Sequence, residues 1–206
     1  TCVRECPVKA IKIINGQAEV ISSRCIGCGN CTRVCSQSAK KYLDNTKDAI
    51  ELLNGSKTKV ACLAPSFAAE FTDINDYQLL IGMIKKLGFD YVMDVSFGAD
   101  LVAEEYDKIY NNPKIPRSIS TDCPAIVFYV RHYAPESVDI LAPVVSPMVA
   151  TIRVAKKIYG EDISTVFIGP CVAKKAESLE VDTVLTFKEL RNLFWQKNIT
   201  PEKVKP

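Results

Sequence analysis

Nine cysteines punctuate this 206-residue sequence, and four of them fall in one run, CIGCGNCTRVC, from Cys25 through Cys28 and Cys31 to Cys35. The order C-x2-C-x2-C-x3-C lets three thiolates converge on one cubane iron–sulfur cluster while the fourth turns away to another. The remaining ligand of the first cluster must then come from elsewhere, and Cys6 is the natural donor. A disulfide or a zinc site is the competing use of such residues. Zinc favours two separated cysteine pairs, or pairs completed by histidines, and this chain has a single histidine, His132. The chemistry that this spacing implies is electron transfer by thiolate-bound iron.

The elements that would position these thiolates are also legible. TCVRECPVKAIK, from Thr1, aligns with NCTRVCSQSAKK, from Asn30, at a constant offset of 29. Cys2 matches Cys31, Arg4 matches Arg33, Cys6 matches Cys35 and Ala10 matches Ala39, while Ser36 stands where the first half has Pro7. An internal repeat of this kind marks one supersecondary unit used twice. Residues 10–21, AIKII, then Asn15-Gly16, then QAEVI, predict two short strands around a tight hairpin turn. Together these features resemble a two-cluster ferredoxin unit. In such a unit Cys25, Cys28, Cys31 and Cys6 serve one cluster, and Cys2 and Cys35 supply half the ligands of a second. The repeat partners of Cys25 and Cys28 would fall before residue 1, so the sequence is expected to begin inside that unit.

Composition narrows the class. Hydrophobic residues make up 48% and charged residues 24%, ordinary for a globular protein. A net charge of +2 with scattered lysines gives no ground for nucleic acid or an acidic membrane surface as a partner. No apolar run reaches the length of a membrane span. Cysteines in a metal-type pattern point to a reducing compartment, the cytoplasm, and not to a disulfide framework.

Beyond the cysteine run, strand and helix patterns alternate. Residues 42–54 read as a helical linker closed by Gly55. Short strands are expected at 59–65, 90–96, 117–121, 164–170 and 182–187. Helices are expected at 75–87, 99–110 (stopped by Asn111-Asn112-Pro113), 125–133, 147–159 and from Thr186 to Trp195, with 139–145 ambiguous. Ser146 is placed to cap a helix with Pro147 in its first position, and Thr200-Pro201 would open another. This alternation implies an α/β domain with a mainly parallel sheet flanked by helices, following a small ferredoxin-like domain. The expected boundaries are 1–41, a linker at 42–57, and 58–206. Sites in such sheets lie at the carboxyl ends of strands. Three loops are expected there: Ala64-Pro65-Ser66, Asp122-Cys123-Pro124 and Gly169-Pro170-Cys171. Cys123 and Cys171 each sit beside a proline at a helix start, where backbone N–H groups and the helix dipole favour a thiolate. Lys174 and Lys175 follow one turn later, where an ammonium could offset an anionic cofactor. Taken singly, each of these cysteines reads first as a small buried hydrophobe; two in matching loops behind a ferredoxin-like unit turn the reading towards ligands. Cys62 reads as a buried strand residue and His132 as helix surface, while Glu104 and Glu105 read either as solvated helix charges or as members of a proton path.

At these residues the chain resembles the [FeFe]-hydrogenase large-subunit family, from Cys2 to the end. Ala64-Pro65-Ser66 resembles the family's loop at the diiron end of the active-site cofactor, the H-cluster. DVSFGADLVAEE (94–105) resembles its helix entry. STDCPAI (120–126) and GPCVAKKAE (169–177) resemble its first and second cysteine signatures, and Ser146-Pro147-Met148 a further cofactor-lining turn. The resemblance implies a cubane cluster bridged to a diiron unit. Cys123 and Cys171 would be two of the four cubane ligands, and Lys174 would face a cyanide. Pro65, Pro147, Met148 and Pro170 would line the cofactor. A third signature, rich in glycine and cysteine, would supply the other two ligands. No cysteine follows Cys171, so truncation at both ends is expected. Asp122 stands where catalytic members carry the proton-relaying cysteine, Gly169 replaces a methionine and Met148 a glutamine. These departures are similar to those of sensory branches. The implied activity is reversible proton reduction and dihydrogen oxidation, with electrons exchanged with a redox partner such as a ferredoxin. The alternatives are a redox or hydrogen sensor coupled to a signalling domain, and an iron–sulfur assembly factor.

Overall fold

The computed structural model describes residues 1–112 and 117–204. Pro113 of the expected helix stop and the last two residues of the tail lie outside the described residues.

The small unit at the start is built twice from one local device. Helix α1 (Cys2–Glu5) leads to Cys6, and strands β1 (Ile11–Ile14) and β2 (Gln17–Val20) pair antiparallel with Ile14 opposite Gln17. The turn between them places Asn15 at φ 48° and Gly16 at φ 77°, the two left-handed residues that a two-residue hairpin loop demands. Helix α2 (Asn30–Arg33) carries Cys31. The sequence repeat is also a repeat of geometry. Lys9 and Ser38, 29 residues apart, both adopt positive φ, 49° and 52°. Each follows a cysteine whose sulfur accepts a hydrogen bond from the backbone N–H four residues on: Ala10 to Cys6 at 3.2 Å and Ala39 to Cys35 at 3.3 Å.

The larger unit is an α/β layer structure. It contains α3 (Thr46–Asn54), β3 (Thr58–Leu63), α4 (Phe67–Glu70), α5 (Tyr77–Lys86), β4 (Tyr91–Asp94), α6 (Ser96–Tyr110), α7 (Pro124–Tyr133), α8 (Pro147–Tyr159), β5 (Ile163–Gly169), β6 (Thr183–Thr186) and α9 (Phe187–Gln196). The four long-range strands form one sheet in the order β4-β3-β5-β6, every pair parallel. β5 is buried along its whole length, as a central strand covered on both faces must be. Leu80, Ile84, Ile152, Ile168, Leu185, Leu190 and Leu193 fill the core between sheet and helices. The chain steps from β3 outward to β4 and then returns to the far side of β3 for β5. The carboxyl ends of β3 and β5 therefore flank a topological switch point, where crevices open in such sheets.

Several sequence expectations are corrected. Of 117–121, only Ile119 forms a bridge, parallel to Leu141, so the Asp122 loop does not continue a strand of the main sheet. The linker is helical only from Thr46. Ser146 precedes α8 and Pro147 opens it, but the Ser146 hydroxyl makes no capping bond, because it donates to Glu177 instead. After Thr200, Pro201–Lys203 form one short 3-10 turn. By contrast Thr186 does cap α9, and with Glu189 it completes a capping box. Among the described residues no helix is long and apolar enough to cross a membrane.

Candidate metal centre

Cys6, Cys25, Cys28 and Cys31 line one cavity of about 220 Å³, together with apolar residues such as Val8, Ile11, Ile26 and Val172 and the polar Asn30, Thr32 and Lys41. All nine cysteines are free thiols. The Cys6 sulfur is buried and receives the Ala10 N–H, and the Gly27 N–H reaches Cys25 Sγ at 3.4 Å. Burial pushes the Cys31 thiol up, and the neighbouring Cys25 and Cys28 push it further. Several thiolates crowded together in a low-dielectric site repel one another unless a cation sits among them. Among the described residues no three His, Cys, Asp or Glu side chains converge as one small ion requires. Four sulfurs spread around a cavity, with N–H groups already aimed at two of them, fit a cubane cluster better than a single zinc. Cys2 packs beside the same apolar cluster, whereas the Cys35 thiol is held below its usual range by the backbone N–H groups of Lys40 and Ala39.

This centre is seated on the larger unit at one point of very close approach. Gly29 lies at φ 72°, and a Cβ built there would stand 2.4 Å from Val172 Cγ2. Gly27, at φ 69°, faces the Ala173 Cα at 4.0 Å. Glycine is needed at 29 for both reasons at once, left-handed backbone and absence of a side chain. The loop carrying Cys28 thus rests on the turn Val172–Ala176 that directly follows Cys171. Ala125, Phe128, Ala173 and Cys171 join Cys6, Val8 and Ile26 in one apolar cluster across this junction. Tyr133 fastens it by donating to the Arg24 carbonyl at 2.8 Å.

The Cys123 and Cys171 turns are tied together through Lys174, whose ammonium donates to the Asp122 carbonyl at 3.0 Å and is ion-paired with Glu177. Glu177 in turn accepts from Ser146. One chain of polar contacts therefore joins Asp122, Lys174, Glu177 and the Ser146-Pro147 turn. The Asp122 carboxylate accepts from Ser120 at 2.8 Å through Oδ2, while its buried Oδ1 has no hydrogen-bond partner among the described residues. Tyr106 of α6 holds this loop by accepting from the Thr121 N–H at 2.9 Å. Cys123 itself is exposed at the start of α7, with Pro124 in the first helical position.

The other expected residues divide. Ala64, Pro65 and Ser66 close β3 and lie against β5: the Ala64 N–H bonds the Ile168 carbonyl at 2.8 Å, and a Cβ at Gly169 would come within 3.0 Å of the Ala64 Cβ. Pro65, Ser66 and Pro170 are exposed on that face. Met148 is 1% exposed and belongs to the main core. Cys62 is fully buried in β3, and desolvation pushes its thiol up to about 12. His132 lies exposed on α7. Lys175 turns to the opposite side from Lys174. It is buried against Glu189 at 2.9 Å, with Asn45 Oδ1 and the Val184 carbonyl also accepting from it. It secures the linker and is not free to face a cofactor. Two further side chains shape the site: Glu177, the closing position of the GPCVAKKAE signature and i,i+3 from Lys174, and Glu189, which sequence reasoning missed because it is hidden behind an ordinary capping box.

A small iron–sulfur unit whose cysteine loop rests on a parallel α/β domain is the architecture, and similarity to known proteins identifies its family. Residues 57–206 match the family model described as "Iron only hydrogenase large subunit, C-terminal domain", and residues 18–40 match the "4Fe-4S binding domain". The chain belongs to the iron-only hydrogenase large-subunit family and carries a 4Fe-4S binding domain. It is 27% identical to the NADP-reducing hydrogenase subunit HndD of Solidesulfovibrio fructosivorans, over 85% of this chain and 36% of that one. It is also 27% identical to the cytosolic Fe-S cluster assembly factor NAR1 of Yarrowia lipolytica, over 89% of this chain and 45% of that one. The chain thus spans less than half the length of either relative. Among solved structures, a single-residue variant of the [FeFe]-hydrogenase HydA1 from Chlamydomonas reinhardtii shares the fold. Its TM-score is 0.67 at 23% identity, over 79% of this chain and 50% of that one.

Proposed function

We propose that this chain is an [FeFe]-hydrogenase-like iron–sulfur oxidoreductase, organised as a ferredoxin-type domain at 1–41, a linker at 42–57 and a hydrogenase domain at 58–206. Cys6, Cys25, Cys28 and Cys31 hold one [4Fe–4S] cluster, and Cys2 and Cys35 contribute to a second. Cys123 and Cys171 are ligands toward the H-cluster. When bound, these groups supply reversible one-electron storage and the site of proton reduction and dihydrogen oxidation. The chain's own residues do the rest. The Ala10 and Gly27 N–H groups stabilise charge on sulfur. Ala64, Pro65, Ser66, Pro147, Met148 and Pro170 would line the cofactor. Lys174 fixes the Asp122 loop and places a cation between the Cys123 and Cys171 turns, and Asp122 offers a carboxylate oxygen there to hold a proton. The protein works in the cytoplasm with a soluble redox partner or a signalling domain, without nucleic acid or membrane insertion.

The observation that carries this reading is the contact of Gly29 with Val172, which seats the cysteine run directly on the residue after Cys171. The test is hydrogen turnover by the native protein, purified anaerobically. Cys123→Ser and Cys171→Ser should each abolish it, and Cys62→Ser should leave it intact. Turnover surviving Cys171→Ser would refute the ligand assignment. A second reading, an assembly factor or sensor, is favoured by the aspartate at 122 and by similarity to NAR1. It takes precedence if the parent holds its clusters yet neither evolves nor consumes dihydrogen.

A further inference from the structure

The short turn Val172–Ala176 after Cys171 touches three separate parts of the chain. Val172 meets Gly29 of the cysteine run, and Lys174 donates to the Asp122 carbonyl. Lys175 reaches a third part, the segment 42–45 that directly follows the iron–sulfur unit. It does so through an ion pair with Glu189 in which the two side chains are 6% and 3% exposed. An ammonium has three protons to give. Those of Lys175 go to Asn45 Oδ1 at 2.7 Å, the Val184 carbonyl at 2.9 Å and Glu189 Oε1 at 2.9 Å. Glu189 Oε1 also accepts the Asn45 N–H at 2.9 Å, and Oε2 accepts the Thr186 N–H and hydroxyl, each at 2.6 Å. The Tyr42 hydroxyl lies 3.2 Å from Thr186 Oγ1, and its ring centre 5.6 Å from the Lys175 ammonium. Every polar atom of the pair is therefore occupied, and two of the contacts are to Asn45.

A buried ion pair is a poor source of stability, because desolvation offsets most of the attraction and an apolar pair of similar volume often does as well. Its advantage is direction. Apolar side chains pack at several offsets, whereas a saturated network of donors and acceptors matches at one. We propose that Lys175 and Glu189 are positioning residues that fix the register of the iron–sulfur unit against the Cys171 turn. Val172 and Lys175 lie toward opposite ends of that turn. Between them they hold the unit at two places, the loop that carries Cys28 and the linker at Asn45. The separation of the cysteine run from Cys171 is thereby set by contacts remote from either. A shift of about 1 Å from a remote change is enough to slow a reaction markedly, and electron tunnelling falls steeply with distance. That use of the register rests on the function proposed above, but the register is measured without turnover.

The experiment is a distance measurement between two nitroxides by pulsed electron paramagnetic resonance on the anaerobically reconstituted chain. The labels are carried by keto amino acids at Ile13 on β1 and Ile158 on α8, both exposed, so that the cysteines stay untouched. The parent should give a single narrow distance. Lys175→Met plus Glu189→Gln keeps the side-chain volumes and an acceptor for the α9 cap. It should lose the narrow distance for a broad distribution, with a urea midpoint no lower than that of Leu80→Ala. Asn45→Ala, which leaves the ion pair intact and removes only the linker's acceptor, should broaden the distance as well. Leu80→Ala, a cavity in the main core, should lower the urea midpoint and keep the distance narrow. The proposal is overturned if the double variant and Asn45→Ala both keep the parent's narrow distance. It is equally overturned if Leu80→Ala broadens the distance as much as they do, since the pair would then act through stability alone. The expected pattern in a protein without hydrogen turnover would leave this inference standing and remove the catalytic reading alone.

Discussion

Gly29→Ala is the sharpest probe of how the cysteine run is mounted. The substitution acts twice. It forces a residue with a side chain to φ 72°, a left-handed conformation that costs about 1–2 kcal/mol. It also drives a methyl group to 2.4 Å from Val172 Cγ2, an overlap that typically costs about 1–3 kcal/mol to relieve. The sum is about 2–5 kcal/mol. Only the second part depends on Val172. In a Val172→Ala background the offending Cγ2 is gone and only the Cβ, 3.3 Å away, must give slightly, so Gly29→Ala should cost little beyond its backbone share. A double-mutant cycle should therefore show about 1–3 kcal/mol of favourable coupling. The assay is urea unfolding of the reconstituted protein under anaerobic conditions, followed by far-ultraviolet circular dichroism. If Gly29→Ala is equally harmful with valine and with alanine at 172, the two loops are not in contact and the coupling between cysteine run and Cys171 turn is lost.

Other outcomes follow from the same geometry. Removing one partner of the buried Lys175–Glu189 pair strands a charge, so Glu189→Ala should destabilise by about 3–5 kcal/mol. Lys175→Met combined with Glu189→Gln should cost markedly less, as read from urea midpoints. For Cys62, whose thiol is raised from 9.0 to about 12, the native state holds its proton more tightly than the unfolded chain does. That contribution is complete below pH 9 and is lost as pH rises from 9 toward 12, at up to ~1.4 kcal/mol per pH unit. Cys62→Ala should flatten that part of the stability profile, and an unchanged slope would show that Cys62 is not buried in solution.

The parts of the site legible in the sequence are those encoded locally. The 29-residue offset that aligns Cys6 with Cys35 reappears as the paired positive φ values of Lys9 and Ser38, because the same short motif makes the same hydrogen bond to sulfur. Asn15-Gly16 marks its hairpin, and the β-branched run of β5 its central strand, since turn chemistry and burial act on neighbours in sequence. What stays hidden depends on partners far apart in the chain. Ser146 has the setting of a helix cap, but Glu177, 31 residues on, offers its hydroxyl a charged acceptor and wins. Lys174 and Lys175 are equivalent by sequence, yet successive side chains leave a helical turn in different directions. One reaches the Asp122 loop while the other is buried against Glu189 and Asn45. Residues 117–121 have strand-like composition, but the only ladder partner there among the described residues is Leu141, and one bridge does not make a strand.

The central claim is that Cys6, Cys25, Cys28 and Cys31 enclose a cubane cluster. It is tested most directly by anaerobic reconstitution with iron and sulfide, metal analysis, and electron paramagnetic resonance of the dithionite-reduced protein, for the parent and for Cys28→Ser. The account predicts iron and sulfide in equal amounts, about four of each per cluster, with a reduced-state signal that is largely abolished in Cys28→Ser. Stoichiometric zinc in place of iron, or a signal that survives the substitution undiminished, would contradict it.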